Sequence, residues 1–118
     1  MRVLVAGSGE WTDAGPIRRE LAKLPACTAI ICGDFQGADA LAAQVARELG
    51  LTVKAFRKEP EDYQRYRRGA WKALNERMLA SSVDQVLAFH PSIEESRGTK
   101  HLVELAGQKG IPVQVFAK

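Results

Sequence analysis

The sequence predicts an α/β fold, in which a mostly parallel five-stranded sheet of Rossmann-like type is flanked by about four helices. Short runs rich in β-branched apolar residues recur along the chain, and longer segments with apolar residues at helical spacing lie between them. Glycine or proline stands at most of the boundaries. Since 118 residues suit one domain of ordinary size, we expect a single domain over residues 1–118.

The first half of the chain alternates strongly between the two patterns. Its three apolar runs predict strands at residues 2–6, 28–32 and 51–56. We expect the first helix to begin at a cap formed by Thr12 or Asp13 and to end at Pro25. The second helix begins near Ala38 and stops at Gly50.

The second half begins with a polar segment that we interpret as a connection. A helix is predicted over residues 69–81, a strand over 83–89, a helix from Ser96 to Gly110 and a last strand over 111–116. Right-handed crossovers between parallel strands favour a doubly wound strand order, 3-2-1-4-5.

Three polar segments follow strands and therefore meet at one edge of the predicted sheet. They are richer in glycine, hydroxyl and acidic residues than the connections at the opposite edge. These segments are GSGEWTD (7–13), CGDFQGAD (32–39) and FHPSIEESRGT (89–99). Ligands of open parallel sheets bind beyond the carboxyl ends of the strands, so this edge is the predicted binding site.

The segment CGDFQGAD contains more special residues than a turn needs. Gly33 and Gly37 permit a tight turn or a close backbone approach. Asp39 falls in the first turn of the following helix, where it either complements the helix dipole or contacts a ligand. Asp34 and Gln36 are left to contact the sugar or base of a ligand.

The first glycine-rich segment resembles a phosphate loop but lacks both GxGxxG and the Walker lysine. We expect the backbone of Gly7, Ser8 and Gly9 to hold a phosphate, with the Ser8 hydroxyl as a further donor. Trp11 either stacks on a base or closes the edge of the sheet.

The segment before the last predicted helix is expected to provide the second part of a phosphate site. Arg97 supplies charge, Gly98 lets a ligand approach the backbone, and Thr99 offers a hydroxyl. Ser96 either caps the helix or donates to the ligand. His90 fits a solvated or capping histidine better than a catalytic one.

Asn75 is a polar residue on an otherwise apolar helix face. It shares that face with Trp71, Leu74 and Met78. A buried amide must be hydrogen-bonded, so Asn75 either ties down a neighbouring loop or points into the pocket.

Charge and cysteine content limit the other partners. The net charge is +3, and much of it lies in residues 57–77, a basic and aromatic segment that suits either nucleic-acid binding or solvent exposure.

Cys27 and Cys32 form no zinc pattern and are expected to be buried, reduced thiols, with no metal or cofactor. With no apolar run near the roughly 20 residues of a membrane span and no leader before Arg2, we expect a cytoplasmic protein without membrane contact.

Four motifs together resemble the YspA-type members of the SLOG superfamily, Rossmann-like domains of phages and bacteria. They are GS-x-x-WTD, G-D-x-x-GADALA, N-x-x-M and LAF-H followed by SRGT-x-H. The resemblance implies a nucleotide or nucleotide-derived ligand at the predicted edge, and homodimers are common in the superfamily. Wider relatives include the lonely-guy phosphoribohydrolases and the DNA-binding processing protein A.

The sequence also departs from these relatives. The family usually has arginine where this chain has Gly9, Gln36 and Leu74. The phosphoribohydrolases have glutamates after PGG-x-GT, whereas Lys100 and His101 follow Thr99 here. The resemblance therefore favours a nucleotide-binding domain, with an N-glycosidase acting on a nucleoside monophosphate, a nucleic-acid-binding module or a partner-binding module with a decayed pocket as alternatives.

Overall fold

The computed structural model describes residues 1–117, and its fold is the predicted α/β sandwich. All five strands are parallel and lie in the order β3-β2-β1-β4-β5, which confirms the predicted topology. The strands are β1 (Arg2–Gly7), β2 (Ala29–Gly33), β3 (Thr52–Phe56), β4 (Gln85–Phe89) and β5 (Val113–Phe116).

The four predicted helices are present, and a fifth short helix accompanies them. The helices are α1 (Ala14–Leu21), α2 (Ala38–Glu48), α3 (Pro60–Tyr66), α4 (Ala70–Ala80) and α5 (Gly98–Gln108). The side chain of Asp13 caps α1 by accepting from the Gly15 N–H at 2.9 Å. The α1 helix ends before Pro25, because the N–H groups of Lys23 and Leu24 bond three residues back and tighten the chain into turns.

Helix α3 corrects the interpretation of this segment as a connection. A reciprocal capping box between Glu59 and Asp62 starts it, with Pro60 in the first turn. Asp62 also forms an ion pair with Arg77 of α4, at 2.7 Å. Since Asp62 is the one buried residue of α3, the helix has no apolar stripe that periodicity could have revealed.

Successive residues of β1 pack into two separate cores, one on each face of the sheet. Val3 and Val5 lie in the core covered by α1 and α2, whereas Leu4 and Ala6 lie in the core covered by α4 and α5. This burial on both faces explains why the strands are continuous apolar runs rather than alternating ones.

The two cysteines differ in environment. Cys32 is buried in β2, and burial raises the pKa of its thiol to about 12. Cys27 is exposed, because it lies in the turn that precedes β2. The expectation of two buried thiols is therefore wrong for Cys27, although both cysteines are free.

None of the helices in the described part of the chain has the length and apolarity needed to cross a bilayer. Within residues 1–117 no group of three or more histidine, cysteine, aspartate or glutamate side chains is arranged to hold a metal ion.

Candidate functional site

A cavity of about 390 Å³ opens at the carboxyl ends of β1, β2 and β4, on the side of the sheet covered by α4 and α5. Most of the predicted site residues line it. They are Gly7, Ser8, Gly9, Gly33, Asp39, Asn75, His90, Ser96, Arg97, Gly98 and Thr99. The segments that follow three separate strands thus contribute to one cavity, as expected for this edge of a parallel sheet.

The loop after β1 forms a rigid wall through its own hydrogen bonds. The Ser8 N–H donates to the Phe89 carbonyl at 2.9 Å, and the Ser8 carbonyl accepts from the N–H groups of Trp11 and Ala38. The Ser8 hydroxyl accepts from the Glu10 N–H at 3.0 Å. The Ser8 N–H is therefore not a free donor for the phosphate that we expect the Gly7–Ser8–Gly9 backbone to hold, because it already has a protein partner.

Gly37 lets the start of α2 approach this wall closely. It has a φ of +75°, and a β-carbon there would lie 2.3 Å from the Ser8 carbonyl oxygen. Gly37 therefore has its predicted role in the turn, and its position does not line the cavity.

Asp39 is the carboxylate that the fold directs into the cavity. A β-carbon on Gly33 would lie 2.7 Å from Asp39 Oδ2, so the missing side chain makes room for this carboxyl group. Asp34 and Gln36, which we expected to contact the ligand, are exposed and lie outside the cavity lining. They project from the loop between β2 and α2, whereas Asp39 lies on the first turn of α2.

The surroundings of Asp39 favour its neutral form. Burial raises the pKa of the carboxyl group to about 7, and the nearby Asp34 acts in the same direction. A hydrogen bond from the Phe35 backbone and the charge of Lys58 lower that pKa without cancelling the effect. A partly buried acid with a pKa near neutrality is typical of ligand-binding and catalytic sites.

Trp11 is a core residue and does not line the main cavity. Its ring packs edge-to-face against Phe89 at 5.7 Å, and its indole N–H donates to the Asp13 carbonyl at 2.7 Å. A small exposed edge borders a second depression of about 310 Å³ beside Glu10 and Pro91. Of the two predicted roles, closing the edge of the sheet matches this placement, while stacking on a base in the main cavity does not.

The N-terminal turn of α5 lies at the cavity and has backbone N–H groups without a protein acceptor in the described part of the chain. The Ser96 hydroxyl caps the Thr99 N–H at 3.0 Å, as one of its two predicted roles requires. Among residues 1–117, the N–H groups of Arg97, Gly98 and Lys100 have no hydrogen-bond acceptor. An anion is favoured at this place by the free donors, by the positive end of the helix dipole and by the Arg97 side chain at the cavity.

Asn75 both ties down this turn and borders the cavity. Its side-chain amide donates to the Gly98 carbonyl at 3.1 Å and lies 3.0 Å from His101 Nδ1. The His101 ring in turn packs edge-to-face against Trp71. Asn75 thus fulfils both of the roles that its position on the helix suggested.

His90 and Lys100 are held by local contacts. His90 Nδ1 accepts from the Ser92 N–H at 2.9 Å, which matches a capping histidine. Lys100 pairs with Glu94 at 3.1 Å, and this hydrogen bond raises the pKa of the lysine. The cations that reach the cavity wall are Lys58 and Arg97.

Sequence reasoning missed the apolar and aromatic part of the wall. These lining residues are Ala6, Phe35, Trp71, Leu74, Met78 and Leu102, and the charged Lys58 was missed as well. Phe35 was detectable as an apolar residue inside a polar loop. Trp71, Leu74 and Met78 have ordinary core spacing, so nothing in their pattern distinguishes a cavity wall from a core.

Comparison with known protein families agrees with the resemblance seen in the motifs. The family model described as the YspA, cpYpsA-related SLOG family matches residues 1–63, which include the loops after β1 and β2. No curated protein matches the chain. The chain belongs to the YspA, cpYpsA-related SLOG family.

Proposed function

We propose that this protein binds a nucleotide or a nucleotide-derived small molecule in the cavity at the carboxyl edge of the sheet. Membership of the SLOG family is compatible with nucleotide-related binding. The observation that supports the proposal best is one cavity that holds both an anion site at the start of α5 and a partly buried carboxyl group, Asp39. A phosphate ester of a polar ring compound has complementary groups for both.

In the proposed arrangement, the phosphate lies against the free N–H groups of Arg97 and Gly98. The sugar or base lies toward Asp39, beside the aromatic and apolar wall. Since the pKa of Asp39 is about 7, this carboxyl group is about half protonated at neutral pH and largely uncharged below it, which weakens its repulsion of the phosphate. A single phosphate suits the small number of cations at the wall.

A valine at position 98 is expected to abolish nucleotide binding. A β-carbon on Gly98 would meet no protein atom within 4 Å, so the fold accommodates the side chain, which then occupies the space in front of the donors. Thermal unfolding of the native protein with millimolar nucleoside mono-, di- and triphosphates, dinucleotides, ADP-ribose and cyclic nucleotides measures binding. A ligand at about 100 times its Kd stabilises the native state by roughly 2.7 kcal/mol, several degrees in a domain of this size.

Gly107→Val is the matched control, since Gly107 lies in the same helix, is exposed and also has open space around its α-carbon. We expect ligand stabilisation in the native protein and in Gly107→Val but not in Gly98→Val. Equal stabilisation of both variants would refute the proposed phosphate position, and a flat panel for the native protein would refute nucleotide binding.

Cleavage of the glycosidic bond of a nucleoside monophosphate is a second candidate function. One observation favours it: a pKa of about 7 suits Asp39 to protonate a leaving base at neutral pH. Release of free base on incubation with nucleoside monophosphates, lost in Asp39→Asn, would support this activity. Binding without base release would leave the protein as a binding domain.

A further inference from the structure

Phe35 is an exposed aromatic side chain at the wall of the cavity. It leaves 59 % of its surface accessible, the largest fraction among the exposed large apolar side chains of residues 1–117. The other such side chains, Met1, Leu49, Tyr63 and Val115, do not line the cavity. An apolar ring left in water at a binding site gains free energy when a ligand covers it.

The ring is held in place from below by the loop after β1. A β-carbon on Gly9 would lie 2.4 Å from Phe35 Cε2 and 3.2–3.3 Å from two further ring atoms, so the ring packs directly on the Gly9 backbone. A ring fixed in this way needs little further ordering to bind a partner.

We propose that Phe35 is the surface on which the base of the bound nucleotide stacks. The inference rests on the proposed function and specifies its ligand class: compounds with a planar base attached to a sugar phosphate, in preference to the sugar phosphate alone. Aromatic side chains bind bases of any identity through their faces, so Phe35 provides affinity without selecting one base. With the phosphate at the start of α5, the base points toward the loop between β2 and α2.

The other aromatic ring of the cavity, Trp71, is engaged by its neighbours. Its ring contacts His101 edge-to-face at 5.3 Å, and the Lys72 ammonium lies 5.6 Å from the ring centre. Trp71 is also partly buried, whereas Phe35 is largely exposed. The exposed ring of Phe35 is therefore the one that we assign to the ligand.

The experiment is isothermal titration of AMP, GMP, CMP, UMP and ribose 5-phosphate into the native protein and three variants. Phe35→Ala removes the ring, Phe35→Tyr keeps an aromatic ring, and Tyr63→Ala removes a similarly exposed ring outside the cavity. We expect Phe35→Ala to bind the preferred nucleoside monophosphate roughly 5- to 100-fold more weakly, the range seen when one stacking partner is removed. Ribose 5-phosphate affinity should stay within about 2-fold, since the phosphate donors are untouched.

Native-like nucleotide affinity in Phe35→Tyr and Tyr63→Ala completes the expected pattern. Unchanged nucleotide affinity in Phe35→Ala, or equal affinity of the native protein for ribose 5-phosphate and all four nucleotides, would overturn the stacking inference while leaving the phosphate site intact. Failure of the native protein to bind any of the five compounds or any compound of the thermal-unfolding panel would instead overturn the proposed function and this inference with it. Unfolding temperatures of the unliganded variants verify that each is folded.

Discussion

The Asp39→Asn variant is expected to be more stable than the native protein at pH 8, by roughly 2–4 kcal/mol, and equally stable near pH 4. The pKa of Asp39 rises from its ordinary 3.8 to about 7 on folding, chiefly because burial disfavours the charged carboxylate. The folded state therefore retains the proton more strongly than the unfolded state. Its contribution to stability is fully present below pH 4 and is lost as the pH rises toward 7. Asparagine has no charge to bury at any pH.

Chemical denaturation between pH 4 and pH 8 measures this effect. The free energy of unfolding of the native protein should fall relative to that of Asp39→Asn across this range, and the difference should level off as the pH passes through the folded-state pKa of about 7. Glu104→Gln, which replaces an exposed carboxyl group on α5, is the matched control and should keep the pH profile of the native protein. Parallel profiles for the native protein and Asp39→Asn would show that the Asp39 carboxyl group is well solvated.

Replacing Gly37 with alanine is expected to destabilise the protein roughly 2–3 kcal/mol more than the same change at Gly50. Both glycines have positive φ, +75° and +77°, but Gly37 also has a ψ of −128°, a backbone conformation that is open almost only to glycine, so alanine is strained there by the backbone itself. A β-carbon on Gly37 would also lie 2.3–2.6 Å from backbone atoms of Ser8 and Gly9, while one on Gly50 meets nothing within 4 Å. The difference between the variants therefore combines the backbone strain at Gly37 with the close contact between α2 and the loop after β1.

Denaturant unfolding of the two variants checks this expectation, because the effect of alanine on the unfolded chain is similar at both positions. Relief of the overlap moves the first turn of α2 and Asp39 with it, so Gly37→Ala should also weaken nucleotide binding. Equal destabilisation by the two substitutions would mean that the loop after β1 and the start of α2 are not in close contact.

The fold was predictable because its causes are local. In a parallel sheet buried on both faces every strand is an apolar run, so Val3 to Ala6 identify a strand without any knowledge of its neighbours. Handedness of the crossovers then leaves few strand orders. Helix α3 was not predicted, because its stability depends on a capping box and on the Asp62–Arg77 ion pair. Neither feature produces a periodic pattern of apolar residues.

The site was predictable as a place on the fold and less so in its individual contacts. The three polar loops identified the edge at which the cavity opens, but the choice between Asp34 and Asp39 depends on which way each side chain projects. Asp39 enters the cavity because Gly33 has no side chain, a relation between two residues that becomes visible only in three dimensions. For the same reason the sequence does not separate Trp11, a core residue, from Trp71, a residue of the cavity wall. Trp11 is buried because its ring packs against Phe89.

The most direct test of the central claim is a nuclear magnetic resonance titration of the ¹⁵N-labelled protein with AMP, GMP, CMP and UMP in turn. It reports which amides a nucleotide touches without any substitution. Nucleotide binding in the cavity predicts early shifts of the Gly98 and Phe35 backbone amides and of the Asn75 side-chain amide, all of which belong to residues of the cavity wall. Shifts confined to the exposed basic residues Arg67 and Arg68, or no shifts at the cavity with any of the four compounds, would contradict it.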